Sequence, residues 1–398
     1  NKYLSNYSYG ENVPAMGLIY PSSFQTNQSA AGFMNDWKAL SYLALVNYSY
    51  KDKYILDLSY RNEGSSRFAA DYRFGNFYAV GLAWNLTSED FLADSSIVNN
   101  LKLRASYGES GNNSVGLFSY KSLFSYGGSY NDNGTVTPSG FANPIISWET
   151  AKLTDIGVDF SLFNNRVSGL VNYYIKDTAD LLQSVPLSLT TGHSSYTQNV
   201  GEVRNQGIEI EIDATVIKAG DFNWAIYGNY STNDNEVLRL AKDAAGNDIN
   251  LDGGYNATRV GRSISSWYLR TWGGVDSNDG RPYYVVGGDQ TPEEGYSEEI
   301  TYSLTSALQS FQGERIPTYS GGIGTRLNYK GLSVDANFYF TGGHKIYERW
   351  AWYYMQSGLL STRYYQGAEA LMDRWQNPGD VTDVPKMIYS TSTTTSGS

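Results

Sequence analysis

The fold is decided by the stretch between Thr154 and Ile175, which runs TDIGVDFSLFNNRVSGLVNYYI. On each side of Asn164-Asn165, apolar and polar residues largely alternate with a period of two, which is the pattern of a β-strand with one apolar face. Asn-Asn between two such runs is typical of a tight turn. The stretch therefore predicts a hairpin of two long antiparallel strands.

The same hairpin pattern recurs along the chain. Tight turns are predicted at Lys51-Asp52-Lys53, Asn164-Asn165, Ala219-Gly220 and Lys330-Gly331. Between them lie long polar connections near 64–73, 111–149, 179–203, 237–262 and 287–317. An antiparallel sheet with its tight turns at one end and its long loops at the other is typical of a transmembrane β-barrel.

Strand length separates a membrane barrel from a soluble β-sandwich. Soluble strands average about five or six residues, whereas membrane-spanning strands need about 9–11. Strands are predicted at 42–50, 54–63, 75–87, 99–108, 151–162, 167–178, 204–217, 222–235, 263–275, 318–329 and 332–343, with a short one near 282–286. We therefore predict an all-β fold, a transmembrane antiparallel barrel of which about twelve strands lie in this chain. A carboxylate row such as Glu209, Glu211 and Asp213 suits a water-filled lumen, although it would also suit the solvent face of a sandwich.

Composition and charge narrow the function classes. The chain has 35 Tyr, 41 Gly and only 17% charged residues, which fits aromatic girdles at membrane interfaces but also an extracellular all-β protein. The formal charge of -11 argues against nucleic acid as a partner. Cysteine is absent, which excludes thiolate chemistry within the chain. The first residues show no signal peptide and the last are polar, so we expect residues 1–398 to be part of one barrel domain, with 344–398 a truncated extracellular loop region.

Enzymatic chemistry has little support in the residue pattern. The two histidines, His193 and His344, lie in or beside predicted loops, so no cofactor or metal centre is expected. Carboxylate pairs, which a glycosidase would need, arise in any acidic chain whose strands alternate. The segment from Asp276 to Gly280 begins like a calcium loop, but its later positions do not match one, and we interpret it as a tight turn. We therefore expect no enzyme.

The predicted loops are rich in large aromatic residues, whose flat faces stack on sugar rings and also grip peptides. We predict Trp148, Tyr347, Trp350 and Trp352 as contacts of a ligand or of a partner protein. The alternative is that these side chains only pack the loops against each other.

A set of short motifs resembles the SusC/RagA family of TonB-dependent outer-membrane transporters. The matching segments are YRNEGSSRF (60–68), LKLRASYGESGN (101–112), WET (148–150) with Lys152, NYY (172–174) with DLL (180–182), NQGIEI (205–210), NW (223–224), DGRP (279–282), IPTYSGG (316–322) and RWQNPGD (374–380). They follow each other in the family's order over about residues 55–385.

The resemblance implies a barrel of about 22 strands with a plug inside it. It further implies import of a large nutrient, an oligosaccharide or an oligopeptide, across the outer membrane. A SusD-like surface lipoprotein would close over the barrel as a lid, TonB would act through a part of the protein outside this chain, and outer-membrane lipid would surround the strands. The plug, the N-terminal region and the closing strands are expected to lie outside this chain. The alternatives are a secreted β-rich carbohydrate-binding or glycan-degrading protein and a passive porin or adhesin barrel.

Overall fold

The structure, a computed structural model, describes residues 2–11, 26–131, 133–291, 293–351, 355 and 368–387. Backbone contacts divide the chain into two units, Asn1–Val203 and Arg204–Ser398. The strands of the first unit are β1 (Lys2–Glu11), β2 (Thr26–Asp36), β3 (Ala39–Tyr50), β4 (Tyr54–Ser65), β5 (Phe74–Asn85), β6 (Val98–Asn112), β7 (Leu123–Tyr130), β8 (Asn133–Gly140), β9 (Glu149–Leu162) and β10 (Val167–Pro186). Short 3-10 helices cover Ala70–Tyr72, Leu86–Ser88 and Leu189–Thr191.

Strand β11 (Ser195–Ala219) crosses from the first unit into the second. The second unit continues with β12 (Phe222–Thr232), β13 (Asp234–Arg239), β14 (Leu251–Asp252), β15 (Ala257–Thr258), β16 (Ser266–Arg270), β17 (Trp272–Val275), β18 (Pro282–Val285), β19 (Ile300–Thr301), β20 (Gln309–Glu314), β21 (Tyr319–Tyr329) and β22 (Leu332–Gly342). A 3-10 helix covers Glu369–Asp373. In the described parts of the chain, no helix is long and apolar enough to cross a membrane.

The long strands pair as antiparallel neighbours within each unit. In the first unit the order is β3, β4, β5, β6, β9 and β10. In the second unit β11, β12, β21 and β22 pair in that order. The predicted all-β, antiparallel fold class is therefore confirmed, and ten of the predicted long strands are found, each differing from its predicted bounds at one end or both.

The predicted tight turns are all present. Lys330 and Gly331 have φ of 45° and 86° and join β21 to β22 through a two-residue loop. Two consecutive left-handed residues are what the right-handed twist of a short hairpin requires. Asn164 and Asn165 have φ of 57° and 60° at the turn between β9 and β10. Asparagine is one of the few residues that tolerates this conformation.

Two faces follow from the register of the long strands. On one face Leu82, Ala105, Ile156 and Tyr173 lie in one row, and Ile156 is 57% exposed to solvent in the isolated chain. In the second unit Gly228, Ile323 and Phe338 form a similar row, and Phe338 is 68% exposed. Such a continuous band of bare apolar side chains at mid-strand is abnormal for a protein in water. It is the expected surface of a wall that lies against lipid.

The Glu89 side chain ties the turn end of the first unit together. Its carboxylate accepts hydrogen bonds from Lys53 Nζ (2.9 Å), Tyr54 Oη (2.8 Å) and Trp84 Nε1 (3.1 Å). These bonds, the one from Lys53 first, lower the pKa of the Glu89 carboxyl to about 2. The Tyr54 and Trp84 rings stack with centroids 6.3 Å apart. Paired aromatic rings with a polar tip at a strand end are typical of the membrane interface.

The prediction that 263–275 and 282–286 are strands of the barrel is wrong. Strand β12 pairs directly with β21, so residues 233–318 form one connection at the end opposite the tight turns. Residues 266–270, 272–275 and 282–285 are short strands of separate small sheets inside that connection. Their apolar side chains pack on a protein core, and an alternating pattern does not distinguish this from packing on lipid.

The predicted loop at 179–203 is also mostly strand. Strand β10 continues to Pro186 and β11 begins at Ser195, which leaves 187–194 as the connection. These strand extensions carry polar residues on both faces, so their sequence does not show the apolar and polar alternation that predicts a strand.

Candidate functional site

The polar face of the first unit carries a hydrogen-bonded charge cluster. Arg104 on β6 donates from Nε and Nη2 to both carboxylate oxygens of Asp159, at 2.9 and 3.0 Å. The same Nη2 donates to Asn172 Oδ1 at 2.8 Å, and Asp155 lies 3.8 Å from Nη1. Gly157 makes room for this arrangement, since a Cβ there would collide with the Asn172 side chain. The fork of a guanidinium on a carboxylate holds the geometry of three strands.

The polar face of the second unit carries a similar cluster. Arg326 Nε donates to Asp335 Oδ2 at 3.1 Å, and its guanidinium lies over the Tyr227 ring at 5.1 Å. The Tyr227 hydroxyl and the Asn337 amide both donate to Asp335 Oδ1 at 2.7 Å. These residues come from β12, β21 and β22. Water-facing charges that bond across strands are expected on the lumen side of a wide barrel.

The long connections of the second unit fold into a structure of their own. We call residues 233–291, 293–318, 343–351 and 368–387 the loop module. It contains the sheets β14–β15, β16–β20 and β17–β18–β19. Its core is formed by Ala257, Tyr268 and Phe311, and Phe311 is only 2% exposed. A loop with its own core holds its side chains in fixed positions, as a binding surface requires.

Tyr347 packs against two other aromatic rings of the loop module. Its ring is 5.0 Å from Tyr255 and 5.6 Å from Trp267. Trp267 is fixed in turn, because its Nε1 donates to the Lys345 carbonyl at 2.7 Å and Arg315 lies over its ring at 4.9 Å. Burial raises the pKa of the Tyr347 hydroxyl. Tyr347 is therefore an anchored aromatic residue with part of its surface free.

Residues 374–387, which we call the clasp, form hydrogen bonds with the predicted turn at 276–280. Trp375 Nε1 and Gly379 N both donate to the Ser277 carbonyl, at 3.0 and 2.7 Å. Lys386 donates from its backbone N to Gly280 O and from Nζ to Asp279 O. Gly280 has φ of 71°, and a Cβ there would collide with the Trp375 ring. The motifs DGRP and RWQNPGD, distant in sequence, are therefore in contact.

Residues of the loop module, some of them in the clasp, line an open cavity of about 530 Å³ together with Met355. This volume is in the range of small-molecule sites. Tyr284, 4% exposed, belongs to the lining, together with Leu269, Leu304, Trp272 and Tyr347. The other lining residues are Gly254, Tyr255, Arg270, Gln309, Glu348, Ala351, Met355, Asp383, Val384 and Pro385.

The four aromatic residues predicted as contacts have different surroundings. Tyr347 lines the cavity, and Trp350, 72% exposed, follows it in the same segment. Trp352 lies outside the described residues. Trp148 is 7% exposed, packs at 5.3 Å from Phe68 and 5.5 Å from Phe77, and donates from Nε1 to the Arg73 carbonyl. Trp148 therefore sits in the core beneath the loops of the first unit and has little surface to offer a ligand.

Several cavity residues have no local signal in the sequence. Tyr255, Tyr284 and Asp383 are far apart in the chain and sit in no shared motif, and only the folding of the loop module brings them together. Within the described ranges, no group of three or more His, Asp or Glu residues is arranged to hold a metal ion. The cavity is suited to binding by contact and hydrogen bonding.

Comparison with known proteins gives concordant matches. The model of the family described as "TonB dependent receptor-like, beta-barrel" matches residues 2–337. A TonB-dependent receptor of Formosa agariphila is 30% identical over 400 residues, which cover 90% of this chain and 38% of the relative. TonB-dependent receptor SusC of Bacteroides thetaiotaomicron is 31% identical over 336 residues, which cover 76% of this chain and 33% of SusC. The chain thus spans well under half the length of these relatives.

Solved structures show the same fold. The RagAB peptide importer in its "open-open" state superposes with a TM-score of 0.83 at 25% identity, over 98% of this chain and 42% of that one. A second structure, of the RagAB peptide transporter, gives a TM-score of 0.80 at 23% identity, over 98% and 46% of the two chains. TM-scores of 0.80 and 0.83 over nearly the whole chain show that its fold is that of these barrels. The chain therefore belongs to the TonB dependent receptor-like β-barrel family, a family of transporters, as a SusC/RagA-like member whose strands are part of an outer-membrane barrel.

Proposed function

We propose that this chain is the barrel part of a TonB-dependent importer that takes up a large nutrient, an oligosaccharide or an oligopeptide, together with a SusD-like surface lipoprotein. The nutrient is trapped between the loops and the lipoprotein lid. TonB then acts on a part of the protein outside this chain to open a path. In this scheme no covalent bond of the nutrient is made or broken.

The observation that carries the proposal is the loop module. The residues between β12 and β21 form three small sheets with a buried core and an aromatic cavity, and a folded loop that holds aromatic side chains in place is suited to binding a ligand. Membership of the transporter family supplies the link from such a surface to uptake.

Exposed and anchored aromatic residues are the proposed contacts of ligand or lid. Tyr347 is held by Tyr255 and Trp267, so its free surface is preorganised for a partner. Trp350 is exposed close by, and large exposed aromatic residues are enriched where proteins bind. We keep Trp352 in this proposal for its place in the same segment. Trp148 is assigned a supporting role under the loops of the first unit.

The test is purification of the native protein from outer membranes in mild detergent, combined with uptake by cells. We expect a longer polypeptide containing this chain to co-purify with a lipoprotein, and nutrient uptake to stop when TonB is deleted. A soluble 44 kDa chain that elutes alone, or uptake that persists without TonB, would contradict the proposal. A soluble chain would favour the alternative of a secreted β-rich protein. Uptake without TonB would indicate a passive porin.

The exposed apolar band on the long strands weighs against the secreted alternative. Residues such as Ile156 and Phe338 would face water in a secreted sandwich, because they lie at mid-strand with no covering sheet among the described residues. No observation favours that alternative strongly enough to make it a second candidate.

A further inference from the structure

We propose that two asparagine side chains, Asn205 and Asn235, position the aromatic surface of the loop module relative to the long strands. We call this pair the asparagine joint. Its residues act through others and do not themselves contact a nutrient. The inference rests on the proposed function and deepens it, because it explains how the packed rings of Tyr255, Trp267 and Tyr347 are held in place for a ligand or lid.

The Asn235 side chain, at the base of the loop module, bonds to two parts of the chain at once. Its Nδ2 donates to Asn205 Oδ1 at 2.9 Å and to the Arg204 carbonyl at 3.4 Å, both on β11. Its Oδ1 accepts from Ile264 N at 2.9 Å and from Ser263 Oγ at 3.0 Å, both further along the loop module. A backbone N–H can only donate, so it fixes which way the amide points. A half-buried side chain with four partners is held in one position.

Neighbouring bonds strengthen the attachment of the loop module to the long strands. Gln206 Nε2 donates to Asp234 Oδ2 at 3.1 Å, and Asn233 N donates to the Thr318 carbonyl at 2.8 Å. The first two residues of the motif NQGIEI (205–210) thus both bond to the base of the loop module. Alternation along a strand does not require amides at these two positions. Their role in the joint accounts for them.

A short series of direct contacts connects the joint to the aromatic rings. Ser265 follows the segment that Asn235 holds, and its carbonyl accepts from Arg315 N at 2.9 Å. The Arg315 guanidinium lies over the Trp267 ring at 4.9 Å, and that ring lies 5.6 Å from the Tyr347 ring. Coupling between distant positions is carried by contiguous contacts of this kind. Loss of the joint should therefore displace the rings.

Spin-label distances test the joint in the full-length protein purified from outer membranes in detergent. This chain has no cysteine, and any cysteine outside it is first changed to serine. Asp221→Cys at the β11–β12 turn and Ile346→Cys beside Tyr347 are then labelled together, since both sites are exposed. Strand β12, of 11 residues, separates the turn from the loop module by about 36 Å at ~3.3 Å per residue. Pulsed electron paramagnetic resonance should show one narrow distance distribution.

Variants of the two asparagines relate this distance to the joint. Asn235→Ala removes all four bonds and Asn205→Ala removes one acceptor, so each should broaden the distribution. Asn205→Asp keeps an oxygen that accepts from Asn235 Nδ2 and should restore the narrow distribution. Asn247→Ala is the matched control, because Asn247 is an exposed residue of the same module whose amide donates to Asp243 within its own turn. It should leave the distribution narrow.

A second label pair shows whether the variants keep their strands. Asp221→Cys with Tyr339→Cys on β22 should give a narrow distribution in every variant, because both sites lie on the long strands and their turns. Broadening of this pair by Asn235→Ala would overturn the inference, since the asparagine would then support the strands themselves.

Two further results would overturn the inference. One is an Asn235→Ala protein whose first label pair stays as narrow as in the unchanged protein. The other is an Asn205→Asp distribution as broad as that of Asn205→Ala. These distances are measured on purified protein and do not depend on uptake. Absence of TonB-dependent uptake by cells would instead contradict the proposed function.

Discussion

Phe338 and Phe311 have the same side chain in opposite surroundings. Phe338 lies on the long paired strands β3–β6, β9–β12, β21 and β22, which we call the wall, and Phe311 lies in the loop module. Phe338 is 68% exposed in the isolated chain, whereas Phe311 is 2% exposed and packs against Tyr268. Both are on strands. The wall is built to present apolar side chains to lipid, and the loop module is built like a small soluble domain. A polar substitution should therefore damage the two regions for different physical reasons, and only the loop module should respond to loss of internal packing.

The largest effect is expected from Phe311→Ala. Removing a fully buried phenylalanine costs about 3–5 kcal/mol, since it leaves a cavity in the core. The loop module has a small core, so we expect it to unfold locally and become sensitive to protease between β12 and β21 while the wall stays folded. Limited proteolysis with mass spectrometry checks this. Leu308→Ala, at an exposed site nearby, is the control. Protection equal to that of the unchanged protein would show that the module does not depend on this core.

The next effect is expected from Phe338→Arg in the wall. An arginine on the lipid face costs about 2–4 kcal/mol near the bilayer midplane. The matched control is Tyr339→Arg, since the neighbouring residue points to the polar face and is exposed there. Urea unfolding in lipid vesicles should show a lower midpoint for the first variant and little change for the second. Equal effects of the two variants would contradict the assignment of Phe338 to the lipid face and of Tyr339 to the polar face.

A smaller effect is expected from Arg104→Met. The change removes hydrogen bonds to Asp159 and Asn172 and leaves two carboxylates together. Bonds of this charged kind are worth about 1.5–3 kcal/mol, although the site is partly open to water. Lys102→Met removes the same charge from the same face and serves as the control. Vesicle unfolding should show a lower midpoint for Arg104→Met than for Lys102→Met, and the reverse order would show that the cluster does not stabilise the wall.

The wall and the loop module also differ in how far sequence predicts them. The turns at Asn164-Asn165 and Lys330-Gly331 have a local cause, because few residues adopt left-handed backbone, and the strands beside them carry an apolar face over about ten residues. The apolar run at 266–270 also predicts a strand, yet that strand packs on Phe311, more than forty positions further along. A period of two says that one face is apolar and does not say whether lipid or protein covers it.

The candidate site shows the same division. Tyr347 and Trp148 are both aromatic residues of predicted loops, and nothing local in the sequence separates them. The structure places Tyr347 in the cavity lining and Trp148 in a core with Phe68 and Phe77. Their different fates depend on contacts with Tyr255 and Arg73, which only the folded chain brings close.

The smallest effect is a pH dependence at the turn end. The pKa of the Glu89 carboxyl is lowered from 4.5 to about 2 in the folded chain. A lowered carboxyl pKa gives stability that is present above pH 4.5 and is lost as the pH falls towards 2. The midpoint of unfolding in vesicles should therefore fall between pH 5 and pH 2 for the unchanged protein. It should fall less for Glu89→Gln. Parallel curves for the two proteins would rule out this contribution.

The central claim is that the loop end, the turn end and the apolar face of the long strands meet three different environments, and single-cysteine labelling tests it most directly. The chain has no cysteine of its own. Val381→Cys in the exposed clasp, Lys330→Cys in a tight turn and Ile323→Cys on the apolar face are introduced separately into the full-length protein. In intact cells a membrane-impermeant maleimide should label Val381→Cys only. Lys330→Cys should react after the outer membrane is permeabilised, and Ile323→Cys should react only with a lipid-soluble probe. Labelling of Ile323→Cys by the impermeant reagent in intact cells would contradict the account.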